Sequence, residues 1–260
     1  MATNPYLSQK AKIISIKPQT DIDYTFILES GIKPSSGQFV EVSLPKVGEC
    51  PISVSDFGDG WFEMTIRRVG KVTNVLHQLK EGDGLFIRGP YGNGFSMDKY
   101  RGREVVVAAG GTGLAPVKSL LNRHREFGGL TLLAGFKSPA DVLFRPELKK
   151  WGQYFNATVT VDRGDENWNG NVGLITQYVQ SLNLSKPGEV EVIVVGPPLM
   201  MKFTVQEFLR LGVPEKNITV SFERKMCCGI GKCGHCKIDD TYVCLEGPVF
   251  NYTRAKNLID

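Results

Sequence analysis

Residues 224–244 read RKMCCGIGKCGHCKIDDTYVC and hold five of the six cysteines in the chain. Cys228, Cys233 and Cys236 follow the spacing C-x4-C-x2-C, and Cys244 comes after seven intervening residues. Thiolates this close along the chain converge only if the backbone between them curls tightly around one point. Gly229, Gly231 and Gly234 allow that curl, because glycine accepts positive φ and close approach. The N–H groups of such a loop turn inward and stabilise the negative charge on sulfur. The spacing is that of a plant-type [2Fe–2S] site. Two other readings compete with it. A structural zinc is usually held by two short knuckles rather than by three ligands in one loop. Disulfides belong to an oxidising compartment, for which nothing else in the chain speaks. Cys227 offers a shifted register, yet only Cys228 leaves the four-residue gap. Cys227 is therefore read as a small buried side chain, and neither it nor Cys50 as a ligand.

The rest of the chain must then supply electrons. At 260 residues, 42% hydrophobic and 22% charged, it has room for two ordinary domains and a small appendage. A net charge of +4 without a basic block or a basic–aromatic stripe excludes a nucleic-acid binder. Apolar runs such as 105–109 and 192–195 are too short to span a bilayer. The start, MATNPYLSQK, has no apolar signal region. Clustered free cysteines fit a reducing cytoplasm.

Six short runs rich in β-branched and aromatic residues come first, at 11–17, 23–29, 38–44, 52–55, 61–67 and 84–88. Gly, Pro and Asp punctuate them, and a short helical pattern at 74–79 interrupts them. Strands this short and numerous predict a closed antiparallel barrel, which leaves no exposed edge. Three stretches stand out in it. Cys50-Pro51-Ile52-Ser53-Val54-Ser55 places a hydroxyl beside a proline that lacks a donor. Gly70-Lys71-Val72-Thr73 opens the short helix, with Thr73 as its expected N-cap and free N–H groups suited to an anion. Gly89-Pro90-Tyr91-Gly92-Asn93-Gly94-Phe95 is a tight turn after a strand. Each is weak alone: Thr73 is equally a plain helix cap, and the glycine turn equally a barrel exit.

After residue 101 apolar runs at 104–109, 130–136, 158–162, 191–195 and 218–221 alternate with helical patterns at 117–127, 143–152, 175–182 and 200–211. That alternation predicts a parallel sheet with helices on both faces. The first of these strands runs into Ala109-Gly110-Gly111-Thr112-Gly113-Leu114-Ala115-Pro116, where glycines let the backbone approach a pyrophosphate. The fourth ends in a second small-residue turn, Gly196-Pro197-Pro198. Ligands of open α/β sheets bind beyond the carboxyl ends of the strands, where both turns lie.

Together these stretches resemble the ferredoxin–NADP reductase-like superfamily along almost the full length. The closer likeness is to its [2Fe–2S]-bearing branch, which holds the electron-transfer subunit of dihydroorotate dehydrogenase, the B subunit of anaerobic sulfite reductase and the gamma subunits of soluble hydrogenases. RKMCCGIGKCGHC at 224–236 and YVCLEGPVF at 242–250 are most similar to the last two.

The resemblance implies three segments: a flavin-binding barrel at 1–100, an NAD(P)-binding α/β domain at 101–222 and a cluster module at 223–260. It implies FAD held at Pro51, Ile52, Ser53 and Val54, at Thr65, Ile66 and Arg67, and by its phosphate at Gly70, Val72 and Thr73. NADH or NADPH lies at Gly110, Gly111, Thr112 and Gly113 and at Gly196, Pro197 and Pro198, with Asp162 leaning toward NADH. Cys228, Cys233, Cys236 and Cys244 hold the cluster.

Two positions depart from the branch. Cys50 stands where many relatives carry a phosphate-clamping Arg, which leaves Arg67 as its substitute, and Gly196 stands where many carry Cys. No side-chain acid or base is needed, because a flavin turns a hydride into single electrons. His77 and His124 are expected at the surface, and His235 is expected to tune the cluster. A catalytic partner subunit accepts the electrons: that of an anaerobic sulfite reductase or soluble hydrogenase, or alternatively of dihydroorotate dehydrogenase. A zinc-stabilised scaffold without enzymatic activity is the rival of another class.

Overall fold

A computed structural model describes residues 4–258. The first three residues of the amino-terminal stretch and the last two of the 223–260 segment lie outside it. The chain forms two compact units. One runs up to Phe95 and takes in Phe222–Val249; the other comprises Ser96–Ser221 and the residues from Phe250.

The first unit is built on six strands: β1 (Gln9–Pro18), β2 (Asp23–Glu29), β3 (Phe39–Leu44), β4 (Gly48–Gly58), β5 (Trp61–Arg67) and β6 (Gly84–Tyr91). They close in the order β1-β2-β5-β4-β3-β6, all antiparallel, as the punctuated β-branched runs predict. Alternate residues point inward, and Ile13, Phe26, Leu28, Val40, Val42, Phe62, Met64 and Ile66 make the barrel core. Each such side chain contributes about 1.5–3 kcal/mol by leaving water.

β3 breaks the alternation, because Phe39 and Glu41 on its outer face are buried as well. The short helix α1 (Lys71–Leu76) starts three residues before the sequence pattern places it. Its N-cap is Gly70 rather than Thr73. The Thr73 hydroxyl accepts the Val69 and Gly70 N–H groups at 3.0 and 2.9 Å, so it closes the turn from inside the helix.

The second unit opens with α2 (Met97–Tyr100) and carries a sheet of β7 (Glu104–Gly110), β8 (Gly129–Phe136), β9 (Asn156–Val161), β10 (Asn171–Val172), β11 (Glu191–Val195) and β12 (Ile218–Ser221). Its helices are α3 (Lys118–Asn122), α4 (Arg145–Trp151), α5 (Ile175–Gln180) and α6 (Pro198–Arg210). The strand order is β10-β9-β8-β7-β11-β12, parallel throughout the register from β10 to β12. A last strand, β15 (Val249–Asn251), joins its far edge after the small hairpin β13 (Lys237–Ile238) and β14 (Thr241–Tyr242). The chain winds outward from β7 through β8 and β9, then returns to lay β11 on the other side of β7. The switch point of the sheet therefore falls between β7 and β11, where a crevice opens beyond the strand ends. Among the described residues no helix is long and apolar enough to cross a membrane.

Candidate functional site

The cysteine segment is seated on the barrel by the turn that looked like a plain barrel exit. Asn93 holds it three ways. Its N–H donates to the Gly247 carbonyl at 2.7 Å, its amide nitrogen to the Glu246 carbonyl at 2.8 Å, and its amide oxygen accepts the Val249 N–H at 3.2 Å. A Cβ on Gly92 would meet Pro248 Cδ at 2.6 Å, and one on Gly229 would meet the Tyr91 ring at 2.7 Å. Glycine is required at both because the two segments touch there. Nothing local in GPYGNGF announces this role, since its partners lie some 150 residues on.

Within the segment Gly229, Gly231 and Gly234 have φ of 74°, 68° and 80°, the left-handed conformations a tight curl needs. Backbone N–H groups turn toward sulfur, as the sequence predicts. Gly231 donates to Cys244 Sγ at 3.2 Å, Lys232 to Cys228 Sγ at 3.4 Å, and Cys244 to Cys236 Sγ at 3.4 Å. Burial pushes the Cys228 thiol up, but the N–H groups of Ile230, Lys232 and Cys233 outweigh it and bring it below its ordinary value. The His235 N–H does most to lower Cys233, against burial. Of His235, then, it is the backbone that reaches sulfur. Burial and the Cys236 thiol together push Cys244 up to about 12.

The thiols act on one another chiefly as two pairs, Cys228 with Cys233 and Cys236 with Cys244. Among the described residues no three His, Cys, Asp or Glu side chains converge as a single metal ion would need. A [2Fe–2S] cluster takes four thiolates, two to each iron, and two pairs under a canopy of N–H donors fit that demand. A tetrahedral zinc needs all four around one point. Cys227 is exposed rather than buried as expected, because its carbonyl, not its thiol, is engaged by the protein. Cys50 lies half-buried on β4, where burial pushes its thiol up to about 12.

On the barrel, Pro51, Ile52 and Ser53 are half-buried along β4. They pair with β3, while pairing with β5 begins only at Val54. That strand edge offers backbone polar groups with no ladder partner on the β5 side. Val54 and Ile66 point into the core, so only their backbones face outward. Thr65 is buried in a hydroxyl chain with Thr25 at 2.8 Å and Ser55 at 3.2 Å. The Arg67 guanidinium is held by Asp23 through two bonds of 2.9 Å, one to each carboxylate oxygen. His77 and His124 are both half-buried rather than surface residues, each packed against an aromatic ring.

In the second unit the two predicted turns meet at the switch point. Gly111 has φ of 54°, and a Cβ on Gly113 would come within 2.6 Å of the Val195 carbonyl oxygen. A Cβ on Gly196 would stand 3.1 Å from the Gly110 nitrogen. Residues 110–113 and 196–198 therefore stand backbone against backbone at the ends of β7 and β11. A recess beyond these strand ends is where a sheet of this kind takes a pyrophosphate, on backbone N–H groups.

Residues 107–206 match the oxidoreductase NAD-binding domain, and residues 223–256 match the iron–sulfur cluster binding domain of dihydroorotate dehydrogenase B. The sulfhydrogenase 1 subunit gamma of Pyrococcus furiosus is 36% identical, over 96% of this chain and 92% of its own. A probable dihydroorotate dehydrogenase B (NAD(+)) electron transfer subunit of Thermococcus kodakarensis is 34% identical over 90% and 92%. Among solved structures, the NADH-dependent reduced ferredoxin–NADP oxidoreductase superposes with a TM-score of 0.77 at 25% identity, over 95% and 92% of the two chains. Barrel, nucleotide recess and cysteine loop thus define an NAD(P)H-dependent oxidoreductase subunit with an iron–sulfur module. The chain belongs to the family of the sulfhydrogenase gamma subunits and the electron transfer subunits of dihydroorotate dehydrogenase B, and it is an electron-transfer subunit that works with a catalytic partner.

Proposed function

We propose that the chain takes electrons from NADH at residues 110–113 and 196–198, through FAD on the barrel, to a [2Fe–2S] cluster held by Cys228, Cys233, Cys236 and Cys244. The gathering of the Cys228, Cys236 and Cys244 sulfurs under the backbone N–H groups of Lys232, Cys244 and Gly231 in one tightly curled loop carries this reading. Flavin and cluster, when bound, supply the step from a two-electron hydride to single electrons. The protein's own residues hold and orient them. The open edge of β4 at Pro51–Ser53 receives the flavin ring, with Val54, Thr65, Ile66 and Arg67 behind it. The Gly70, Val72 and Thr73 turn lies toward its phosphate, and Arg67, locked by Asp23, presents one face of its guanidinium.

The segments 1–100, 101–222 and 223–260 are read as its flavin, nucleotide and cluster parts, working in the cytoplasm. The partner is best read as that of a soluble hydrogenase, since the likeness to the sulfhydrogenase gamma subunits is higher and covers more of the chain. An anaerobic sulfite reductase is the related reading on the motif alone. The cluster-domain match names dihydroorotate dehydrogenase B and favours that as the second reading.

Purification from the native host with its partner decides among the three. The isolated chain is expected to oxidise NADH with an artificial one-electron acceptor, and to reduce neither sulfite nor orotate alone. A colourless protein that binds zinc and no flavin defeats the reading.

A further inference from the structure

We propose that Arg88 is a positioning residue for the cluster site, which holds the Cys227 and Cys228 carbonyls, orients the peptides around the ligand Cys228 and so sets the reduction potential there. The proposal rests on reading the four cysteines as [2Fe–2S] ligands.

Arg88 lies on β6 and is 5% exposed. A guanidinium has five N–H donors in a fixed plane, and all five are committed. Nε donates to Glu49 Oε2 at 2.9 Å and Nη2 to Glu49 Oε1. Nη1 donates to the Tyr91 hydroxyl at 3.1 Å. The remaining two leave the barrel: Nη1 to the Cys228 carbonyl at 2.5 Å, and Nη2 to the Cys227 carbonyl at 2.6 Å. Glu41 faces Arg88 directly across the β3–β6 ladder, at 4.0 Å. Both its carboxylate oxygens are buried without a hydrogen bond, because every donor of the guanidinium is already directed elsewhere.

The peptide unit is planar and trans, so its C=O and N–H point in opposite directions. Arg88 draws the Cys227 carbonyl toward the barrel, and that turns the Cys228 N–H the other way. It is thereby turned away from the barrel, into the loop where the Gly231 and Lys232 N–H groups already reach sulfur. A charged donor on the carbonyl also polarises the amide, which strengthens its N–H as a donor. Hydrogen bonds to the sulfurs and nearby positive charge favour the reduced, more negative cluster. Asn93 and the Tyr91 ring beneath Gly229 also seat the segment on the barrel. Arg88 differs from them in holding the carbonyls of Cys227 and of the ligand Cys228 themselves. Lysine cannot replace it, since three donors on a tetrahedral head do not span two carbonyls and a carboxylate.

The test is a redox titration of the cluster-containing protein followed by EPR, with iron per chain counted alongside. The midpoint is expected to fall in Arg88→Gln, to fall less in Arg88→Lys, and to rise in Glu49→Gln, which keeps Arg88 and removes its counter-charge. Opposite signs for the Arg88 and Glu49 variants support the proposal. A brace with no electronic role would change iron content and leave the potential of the remaining cluster at its wild-type value, and that result overturns it. If Arg88→Gln retains no cluster, Glu49→Gln decides alone, and an unmoved midpoint there is fatal. If the wild-type protein itself shows no [2Fe–2S] signal, the cysteine assignment fails rather than the role of Arg88.

Discussion

Gly231 donates its backbone N–H to Cys244 Sγ across 3.2 Å, and so ties the loop of the first three cysteines to the fourth. Its φ of 68° aims that N–H inward, and a Cβ there would stand 2.9 Å from Leu245 Cδ2. Gly231→Ala imposes both left-handed strain of about 1–2 kcal/mol and a clash beside the ligand. Lower iron per chain is the expected outcome, with flavin content unchanged. Full iron in this variant would show that the N–H does not organise the site.

The thiol pairs make a graded prediction. Serine at Cys228, Cys233, Cys236 or Cys244 should remove most of the iron, and serine at Cys227 or Cys50 should not. Full iron in Cys228→Ser with loss in Cys227→Ser would shift the register by one.

At the nucleotide recess the glycines differ in what surrounds them. A Cβ on Gly113 meets backbone, the Val195 carbonyl at 2.6 Å, which cannot step aside. A Cβ on Gly110 meets the Met200 sulfur at 2.2 Å, the end of a flexible side chain. Gly113→Ala should therefore raise KM for NADH about tenfold, a loss of ~1.4 kcal/mol, and Gly110→Ala less. Steady-state kinetics with an artificial acceptor reads both. Equal KM values would remove the recess from the binding site.

The barrel should weaken in mild acid through His77. Its Nε2 lies 2.8 Å from the Ile66 carbonyl and its ring is 4.4 Å from that of Tyr24. Burial holds its pKa below the ordinary 6.5; the Ile66 carbonyl opposes this, the Arg68 charge adds to it and Asp23 opposes it. The unfolded chain thus binds more protons than the native one, so stability rises with pH in this window. The contribution is fully present above 6.5 and is lost as pH falls toward the folded value. Denaturant midpoints between pH 7.5 and 5 should show the slope, and His77→Gln should flatten it.

Asp23 is fully buried beneath a half-exposed Arg67. Asp23→Ala removes both of its bonds to the Arg67 guanidinium, and about 2–3 kcal/mol should be lost, toward the lower range for breaking a buried pair because Arg67 still reaches water. Chemical denaturation measures this; a change below about 0.5 kcal/mol would make the pair a surface ornament.

The chain by itself determined what depends on near neighbours. Period-two runs with Gly, Pro and Asp between them dictate strands, and strands alternating with helical patterns dictate a parallel sheet, because side-chain direction repeats over two or about four residues. The cysteine spacing and its glycines likewise shape one loop locally. What lies across the chain stayed hidden. Glu41 and Arg88 stand in predicted strands and Asn93 in the turn that follows, and nothing near them in the chain shows that Glu41 and Arg88 are buried. Arg88 and Asn93 also take partners from residues 227–249, more than 130 positions away, and only the closed barrel presents an outer face on which that segment can settle. The pairing of the thiols was likewise decided by tertiary structure. Spacing names four candidates, but only the folded loop, braced from β6, decides which sulfurs stand together.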